Sequence, residues 1–187
     1  MRTGERAWFR PTGAETTLRV WLGTFSPPRP FWEESPERRW RAVLKHQSRA
    51  AALLKSGATE PAARVYARAL RTAITMPLAS LHPGWVRSKA ELHAALALCQ
   101  LRLGLPAPAA VNADKALTLQ PNYIEARYRR AIAAAAMNDF EMAGDDLAGI
   151  LREEPGHARA RRELRRVRGA ARERDACLAR RLGRLFA

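Results

Sequence analysis

Several kinds of residue and segment on which protein chemistry often depends are scarce in this sequence. Its two cysteines, Cys99 and Cys177, provide neither a disulfide framework nor a set of metal ligands, so we expect a reducing compartment, the cytoplasm or the nucleus. The four histidines are scattered, with no carboxylate or thiolate at ligand spacing. A glycine-rich phosphate loop is also lacking. We therefore expect no metal, no cofactor and no catalytic site.

Long apolar segments and aromatic residues are lacking as well. The longest strongly apolar run, Ile132 to Met137, is far too short to cross a bilayer, and the polar N-terminus has no signal peptide. Aromatic residues make up 7% of the chain, whereas hydrophobic residues as a whole make up 47%. This balance, rich in alanine and leucine, is more typical of packed helices than of strands, and it predicts no membrane span.

Acidic residues and lysine are few beside arginine. Lysine plus arginine number 33 against 18 acidic residues, which gives a formal net charge of +15, and only four of the basic residues are lysine. Two explanations of this arginine bias stay open at the level of the sequence. One is a GC-rich coding sequence, and the other is selection for an anionic partner.

What the sequence does have is a repeat of 34 residues in its second half. Ala109 and Ala143 are 34 residues apart, and so are Pro121 and Pro155. The segments between them have the pattern of two helices joined by a short turn, and this is the period of a tetratricopeptide repeat. Because one helical hairpin cannot bury its apolar face alone, such hairpins stack into a superhelix whose concave groove binds part of another protein.

Small residues at helix crossings and turn residues predict three hairpins within residues 36–187. They are Gly57, Ala62, Tyr66 and Ala69 in the first hairpin, Gly104, Ala109, Ala113, Ala116 and Pro121 in the second, and Ala131, Ala143, Leu147, Ile150 and Pro155 in the third. The first two hairpins are spaced more widely than the period by about 13 residues, which predicts an inserted loop from Met76 to Val86. The pairs Ser88 with Glu91 and Asn122 with Glu125 have the spacing of capping boxes at helix starts.

A longer helix is predicted after Pro155, over residues 157–186. Its apolar residues recur at spacings of three, four or seven and form one stripe, which suits a capping helix on the last repeat. The stripe consists of Leu164, Val167, Ala171, Leu178, Leu182 and Leu185. Eleven arginines, from Arg159 to Arg184, occupy its other faces. A basic amphipathic helix is also what calmodulin, an anionic membrane surface or RNA binds, but no aromatic residues lie between the arginines for base stacking.

The first 35 residues differ in kind. Trp8 and Phe9, a Pro-Thr-Gly turn and the segment TLRVWLGTF (17–25) predict a β-hairpin. Two strands alone are marginally stable, so we expect the hairpin to be the end of a sheet whose beginning is absent. Residues 1–35 and 36–187 are therefore predicted as separate domains.

The order of these segments resembles the C-terminal half of FK506-binding proteins that carry tetratricopeptide repeats. The resemblance lies in the strand pair ending in TLRVWLGTF, the helical segments ARVYARAL and LHAALALCQLRLG, the repeat ARYRRAIAAAAMNDFEMAGDDLAGIL and the terminal RDACLARRLGRLFA. It is strongest to members whose isomerase domain is itself divergent. It implies three repeats and a final helix over 36–187, and the last strands of an isomerase-like domain over 7–34. Because most of such a domain is missing, we expect no isomerase activity from a chain that is either a fragment or a shortened gene product.

The same resemblance implies a co-chaperone whose groove takes the acidic C-terminal tail of heat-shock protein 90 through a carboxylate clamp. Carried over by the repeat register, the five clamp positions of the family fall on Gln47, Ala51, Ala95, Glu125 and Arg129. Only Arg129 keeps the family's chemistry. Hydrogen bonds to charged groups contribute about 1.5 to 3 kcal/mol each, and a micromolar complex has about 8 kcal/mol in total. We therefore expect the clamp to be largely degenerate.

Together these features predict an all-α domain of three tetratricopeptide-repeat hairpins and a C-terminal capping helix, preceded by a short residual β-hairpin. The expected function is that of a non-catalytic protein–protein interaction adaptor of the co-chaperone type. The alternative is an arginine-rich nucleic-acid-binding or calmodulin-binding protein. Tight binding of the chaperone tail is expected only if Lys45, Arg49 or Arg130 points into the groove.

Overall fold

The chain folds as two compact units. The computed structural model describes residues 4–13, 15–24, 33–75 and 83–184. The units are Met1–Ser35 and Pro36–Ala187. Within the described residues, none of the helices combines the length and apolarity that crossing a membrane requires.

The first unit contains the predicted β-hairpin. Strand β1 (Arg6–Phe9) pairs antiparallel with strand β2 (Leu18–Trp21), with Arg6 opposite Trp21. The large apolar side chains of these two strands are open, and Trp8 is 69% exposed. The hairpin prediction is confirmed, and the strands are as short as the marginal stability of an isolated pair suggests.

In the described part of the second unit, seven helices follow one another along the chain. They are α1 (Pro36–Lys55), α2 (Thr59–Ile74), α3 (Pro83–Arg102), α4 (Pro106–Leu119), α5 (Ile124–Ala136), α6 (Phe140–Glu153) and α7 (Ala158–Gly183). Each helix packs against the next, and α3 also packs against α5. The three hairpins α1/α2, α3/α4 and α5/α6, followed by α7, confirm the predicted fold class.

The turn inside each hairpin is built in the same way. Gly57 and Gly104 have φ of 85° and 71°, and Asn138 has φ of 63° at the matching place of the third hairpin. Glycine has no Cβ to clash in this left-handed region, and asparagine tolerates it better than most residues. The next amide then donates to the carbonyl five residues earlier at 2.9 Å, which ends the helix in a Schellman motif. The three bonds are Ala58 to Leu53, Leu105 to Gln100 and Asp139 to Ala134.

The apolar residues that defined the hairpins in the sequence form the core. All of them are buried, namely Ala62, Tyr66, Ala69, Ala109, Ala113, Ala116, Ala131, Ala143, Leu147 and Ile150. Methyl side chains at the crossings let paired helices approach closely. The predicted register is therefore confirmed.

We expect Ala109→Leu to lower the melting temperature. Ala109 is fully buried on α4 in one cluster with Ala97 of α3 and Ala133 of α5. The added carbons would overpack this crossing at a cost of about 1 to 3 kcal/mol. Circular dichroism melting of Ala109→Leu is compared with Ala107→Leu, the same change at an exposed position of α4. Identical melting curves for the two variants would contradict the register.

The terminal helix covers the third hairpin with only its first half. Leu164 and Val167 are buried against α5 and α6, whereas Leu178 and Leu182 are 47% and 54% exposed. A helix of 26 residues is about 39 Å long, while α5 with its 13 residues is about 20 Å long, so α7 extends past the surface it caps. The prediction that the whole stripe covers the hairpin is wrong for its second half, and Leu185 lies outside the described residues.

The inserted loop is shorter than predicted. Helix α3 begins at Pro83, so the last residues of the predicted loop, 83–86, are helical. Trp85, one of them, stacks on Trp40 of α1 with ring centroids 5.0 Å apart. That contact explains why the helix begins early, because it buries two large rings. Residues 76–82 of the predicted loop lie outside the described ranges.

Candidate peptide-binding groove

One strip of α3 is open, while the remainder of the helix is largely covered by neighbouring helices. Helix α3 packs against α2, α4 and α5, and its buried side chains all lie within residues 90–99. Five exposed or half-buried residues recur along it at spacings of three and four, which places them on one helical face. They are Arg87, Glu91, Ala95, Leu98 and Arg102.

Helix α1 lies beside this strip. The Nε2 atom of Gln47 donates to Oε2 of Glu91 over 3.5 Å. Ala51 is exposed and follows Gln47 by one turn, just as Ala95 follows Glu91. The clamp-equivalent positions Gln47, Ala51 and Ala95 therefore lie on adjacent strips of α1 and α3.

Helix α5 lies on the other side of the strip and carries the remaining two positions. Glu125 and Arg129 are one turn apart, and their charged atoms approach to 3.9 Å. They line a groove of about 490 Å³ between α3, α5 and α7, which we call the arginine groove. Its lining consists of Leu98, Leu101, Arg102, Glu125, Tyr128, Arg129, Ile132, Arg159, Glu163 and Arg166.

The repeat period arranges these side chains in rows. From α3 to α5 to α7, equivalent residues are 34 positions apart. The first row, which starts on α1, is Gln47, Glu91, Glu125 and Arg159, and the second is Ala51, Ala95, Arg129 and Glu163. Two neighbouring pairs in the first row touch, since Glu125 is 3.4 Å from Arg159 and Gln47 contacts Glu91. The repeat therefore places equivalent residues of successive hairpins side by side at these positions.

Arg129 is the most enclosed arginine of the groove, with 15% of its side chain exposed. Burial raises the pKa of the Cys99 thiol, and the guanidinium groups of Arg102 and Arg129 oppose that rise. Burial also raises the pKa of the Tyr123 phenol, again against the charge of Arg129. The charges of Arg102 on α3 and Arg129 on α5 thus both act on the same buried thiol.

Comparison with known proteins identifies a relative along the whole chain. FK506-binding protein-like from Rattus norvegicus is 38% identical over 188 residues, which is 100% of this chain. This chain is a homologue of FK506-binding protein-like. It spans about half, 52%, of that relative's length. Peptidyl-prolyl cis-trans isomerase FKBP4 from Bos taurus is 26% identical over 166 residues, which cover 86% of this chain and 36% of the relative. No protein-family model matches the chain.

Solved structures share the fold of the helical unit. The C-terminal tetratricopeptide-repeat domain of an FK506-binding protein from Plasmodium falciparum has a TM-score of 0.71 at 16% identity, covering 79% of this chain and 99% of that domain. The first tetratricopeptide-repeat domain of Spaghetti, solved with the heat-shock protein 90 peptide SRMEEVD, has a TM-score of 0.60 at 24% identity, covering 70% and 94%. The helical unit therefore has the fold of a tetratricopeptide-repeat domain.

Glu91 lies on the open strip of α3 and Glu125 lines the arginine groove, and neither caps a helix, so the two capping-box predictions are wrong. Because α3 begins at Pro83, Ser88 lies in its second turn. The N-cap of α5 is Tyr123, not the asparagine before it, and its side chain makes no cap bond. Both glutamates bond to side chains of neighbouring helices, Glu91 to Gln47 and Glu125 to Arg159. A half-buried carboxylate needs such partners, because burial without a hydrogen bond is costly.

Two of the basic residues that could restore the clamp are on the wrong side of α1. Lys45 and Arg49 each lie two residues from Gln47, and two residues correspond to about 160° around a helix in the shorter direction. Their side chains are exposed. Neither can reach the row that begins at Gln47.

The third basic residue, Arg130, is engaged elsewhere. Its Nε and Nη2 atoms donate to the two carboxylate oxygens of Asp146 at 2.8 Å, and Nη1 donates to Asp114 at 2.7 Å. These bonds join α5 to α6 and α4. Arg130 therefore acts as a structural link and does not supply the missing donor.

Sequence reasoning missed Arg102, Arg159, Glu163 and Arg166 as groove residues. The signal that could have found them is the period itself, since Arg159 and Glu163 follow Glu125 and Arg129 by 34 residues. Arg102 follows Ala95 by seven residues, two turns along the same helical face.

Proposed function

We propose that the helical unit is a non-catalytic adaptor of the co-chaperone type, which holds a segment of another protein in its groove. The supporting observation is that all five clamp-equivalent positions lie on adjacent open strips of α1, α3 and α5. The domain of Spaghetti that shares this fold was solved with a chaperone peptide. A row of aligned positions across three helices is what an extended peptide needs.

The acidic tail of heat-shock protein 90 is a poor ligand under this proposal. Ala51 and Ala95 offer no donor, and the amide of Gln47 already contacts Glu91. The carboxylate of Glu125 repels the terminal carboxylate of such a peptide. Arg129 alone keeps a charged donor at a clamp position.

Restoring the family's residues is expected to create tail binding. The variant carries Gln47→Lys, Ala51→Asn, Ala95→Asn and Glu125→Lys, and it is compared with the wild-type chain by calorimetry at physiological salt. The probe is the peptide Met-Glu-Glu-Val-Asp. Because each new charged hydrogen bond contributes about 1.5 to 3 kcal/mol, we expect affinity to rise at least about tenfold, from binding too weak to saturate.

A matched control adds Arg129→Ala to the restored variant and should remove the gain. Tight, saturable binding by the wild-type chain would contradict the loss of the clamp. A restored variant that melts like the wild type and still fails to bind would show that the clamp positions do not form a peptide site, and the adaptor proposal would then lose the observation that supports it.

For the first unit, we propose that residues 1–35 correspond to the last strands of an isomerase-like domain and that the chain does not catalyse isomerisation. The support is the similarity to FKBP4, named a peptidyl-prolyl cis-trans isomerase, together with the single two-stranded hairpin formed by the described part of this unit. The free thiols of Cys99 and Cys177 support a reducing location, the cytoplasm or the nucleus.

The exposed second half of α7 supports a second candidate function. Leu178 and Leu182 are open to solvent on a helix rich in arginine. A basic amphipathic segment of this kind could take calmodulin or RNA in place of a groove-bound peptide. Binding of RNA with a steep salt dependence would favour this candidate, and saturable binding of an acidic peptide at physiological salt would favour the adaptor.

A further inference from the structure

We propose that the arginine groove binds an acidic segment of a partner protein through the segment's side-chain carboxylates, without using a free C-terminus. The inference rests on the proposed adaptor function and names the chemical class of its partner. The clamp-equivalent positions lie on α1, α3 and α5. The site proposed here lies one hairpin further along the array, on α3, α5 and α7.

The charge of the groove favours an acidic occupant. Four arginines and two glutamates line it, which leaves two positive charges. Arg129, Arg159 and Arg166 each pair with a groove glutamate, whereas Arg102 has no ion pair within the described residues. Its guanidinium has five donors to offer. Carboxylates of a partner would therefore complement the groove.

The existing ion pairs leave donors available. Glu125 is shared by Arg129 at 3.9 Å and Arg159 at 3.4 Å, both longer than the roughly 2.7 to 2.9 Å of a strong charge-assisted bond. Arg159 also stacks over the ring of Tyr128, with its guanidinium carbon 4.6 Å from the centroid, which holds the side chain in place. An incoming carboxylate can thus bond to Arg102 and Arg129 without breaking a tight pair.

The floor of the groove favours apolar side chains between the acidic ones. Leu98, Leu101 and Ile132 come from α3 and α5 and lie among the arginines. Pockets with an apolar lining and a few placed charges select a ligand of the same mixed pattern. A segment that alternates acidic and leucine-like residues fits both features.

A free C-terminus has no anchor at this site. In the clamp region of α1 and α3, the positions that would receive a terminal carboxylate carry methyl groups at Ala51 and Ala95, and Gln47 is bonded to Glu91. Arginine side chains do not distinguish a terminal carboxylate from one on aspartate or glutamate. Recognition should therefore be the same for an internal segment and for a tail.

The test uses the whole chain and fluorescence anisotropy at physiological salt. The probe is the fluorescein-labelled peptide Glu-Glu-Leu-Asp-Glu-Leu with an amidated C-terminus, compared with the same peptide as a free acid. We expect the two affinities to agree within about twofold. Arg102→Ala and Arg129→Ala should each weaken binding about tenfold or more, because each removes charged hydrogen bonds to the peptide.

Arg168→Ala is the matched control. Arg168 is an exposed residue two positions after Arg166, on nearly the opposite side of α7, and its removal changes the net charge equally. We expect it to change affinity by less than about twofold, because exposed charges outside the groove are screened at physiological salt.

Several results would overturn the inference. They are a free-acid requirement, an affinity unchanged by Arg102→Ala, an equal loss with Arg168→Ala, or poly(U) RNA binding as tightly with the same dependence on Arg102. The inference is also overturned if the wild-type chain does not bind the amidated peptide. If the restored clamp variant binds Met-Glu-Glu-Val-Asp in that case, the proposed adaptor function is not contradicted. Failure of the restored variant to bind Met-Glu-Glu-Val-Asp counts against the proposed adaptor function and not against this inference alone.

Discussion

Replacing Arg130 with alanine is expected to lower the free energy of unfolding by about 3 kcal/mol. Its guanidinium bonds both oxygens of Asp146, whose side chain is only 8% exposed. The substitution leaves that carboxylate charged and without its partner where water reaches it poorly. It also removes the bond to Asp114, so α4, α5 and α6 lose a common link. Urea denaturation followed by circular dichroism measures the change.

Two control variants separate the buried charge from the loss of an arginine. Arg64→Ala breaks an exposed pair with Glu60, whose side chains are 70% and 67% exposed, and should cost less than about 0.5 kcal/mol. Arg130→Ala combined with Asp146→Ala should be less destabilised than Arg130→Ala alone, because no buried carboxylate is left without its partner. A single Arg130→Ala variant as stable as the wild type would contradict this account.

Leu164→Ala is expected to cost about 2 to 3 kcal/mol, because it empties a buried site at the junction of α7 with the third hairpin. Leu164 is 8% exposed and packs in one cluster with residues of α5 and α6. The cavity would weaken the attachment of the capping helix. Urea denaturation and light scattering on heating measure the loss of stability and any aggregation from uncovered apolar surface.

Leu178→Ala provides the matched control on the same helix. Leu178 is 47% exposed, so the same change should cost less than about 0.5 kcal/mol. Equal losses at Leu164 and Leu178 would show that the second half of α7 is packed against the protein. The contrast also tests the finding that α7 extends past the surface it caps.

The arrangement of the groove was only partly predictable. The repeat register placed Glu125 and Arg129 on α5 correctly, because the period and the helical turn are both read directly from spacing. Glu91 and Glu125 were misinterpreted as capping residues, since three-residue spacing from a serine or asparagine also occurs inside helices. Local spacing does not distinguish a cap from a groove contact.

The sequence by itself determined the fold, because small residues, turn glycines and a 34-residue period are local features that specify helical hairpins and their stacking. Ala109 and Ala143 pack at helix crossings of such an array, and Gly104 makes a turn between two helices. Only the tertiary structure decided which charges meet in the groove and where the capping helix is uncovered. Both depend on which helices become neighbours and on their relative lengths. The bond from Gln47 to Glu91 and the shared position of Glu125 exist only because separate repeats are stacked side by side.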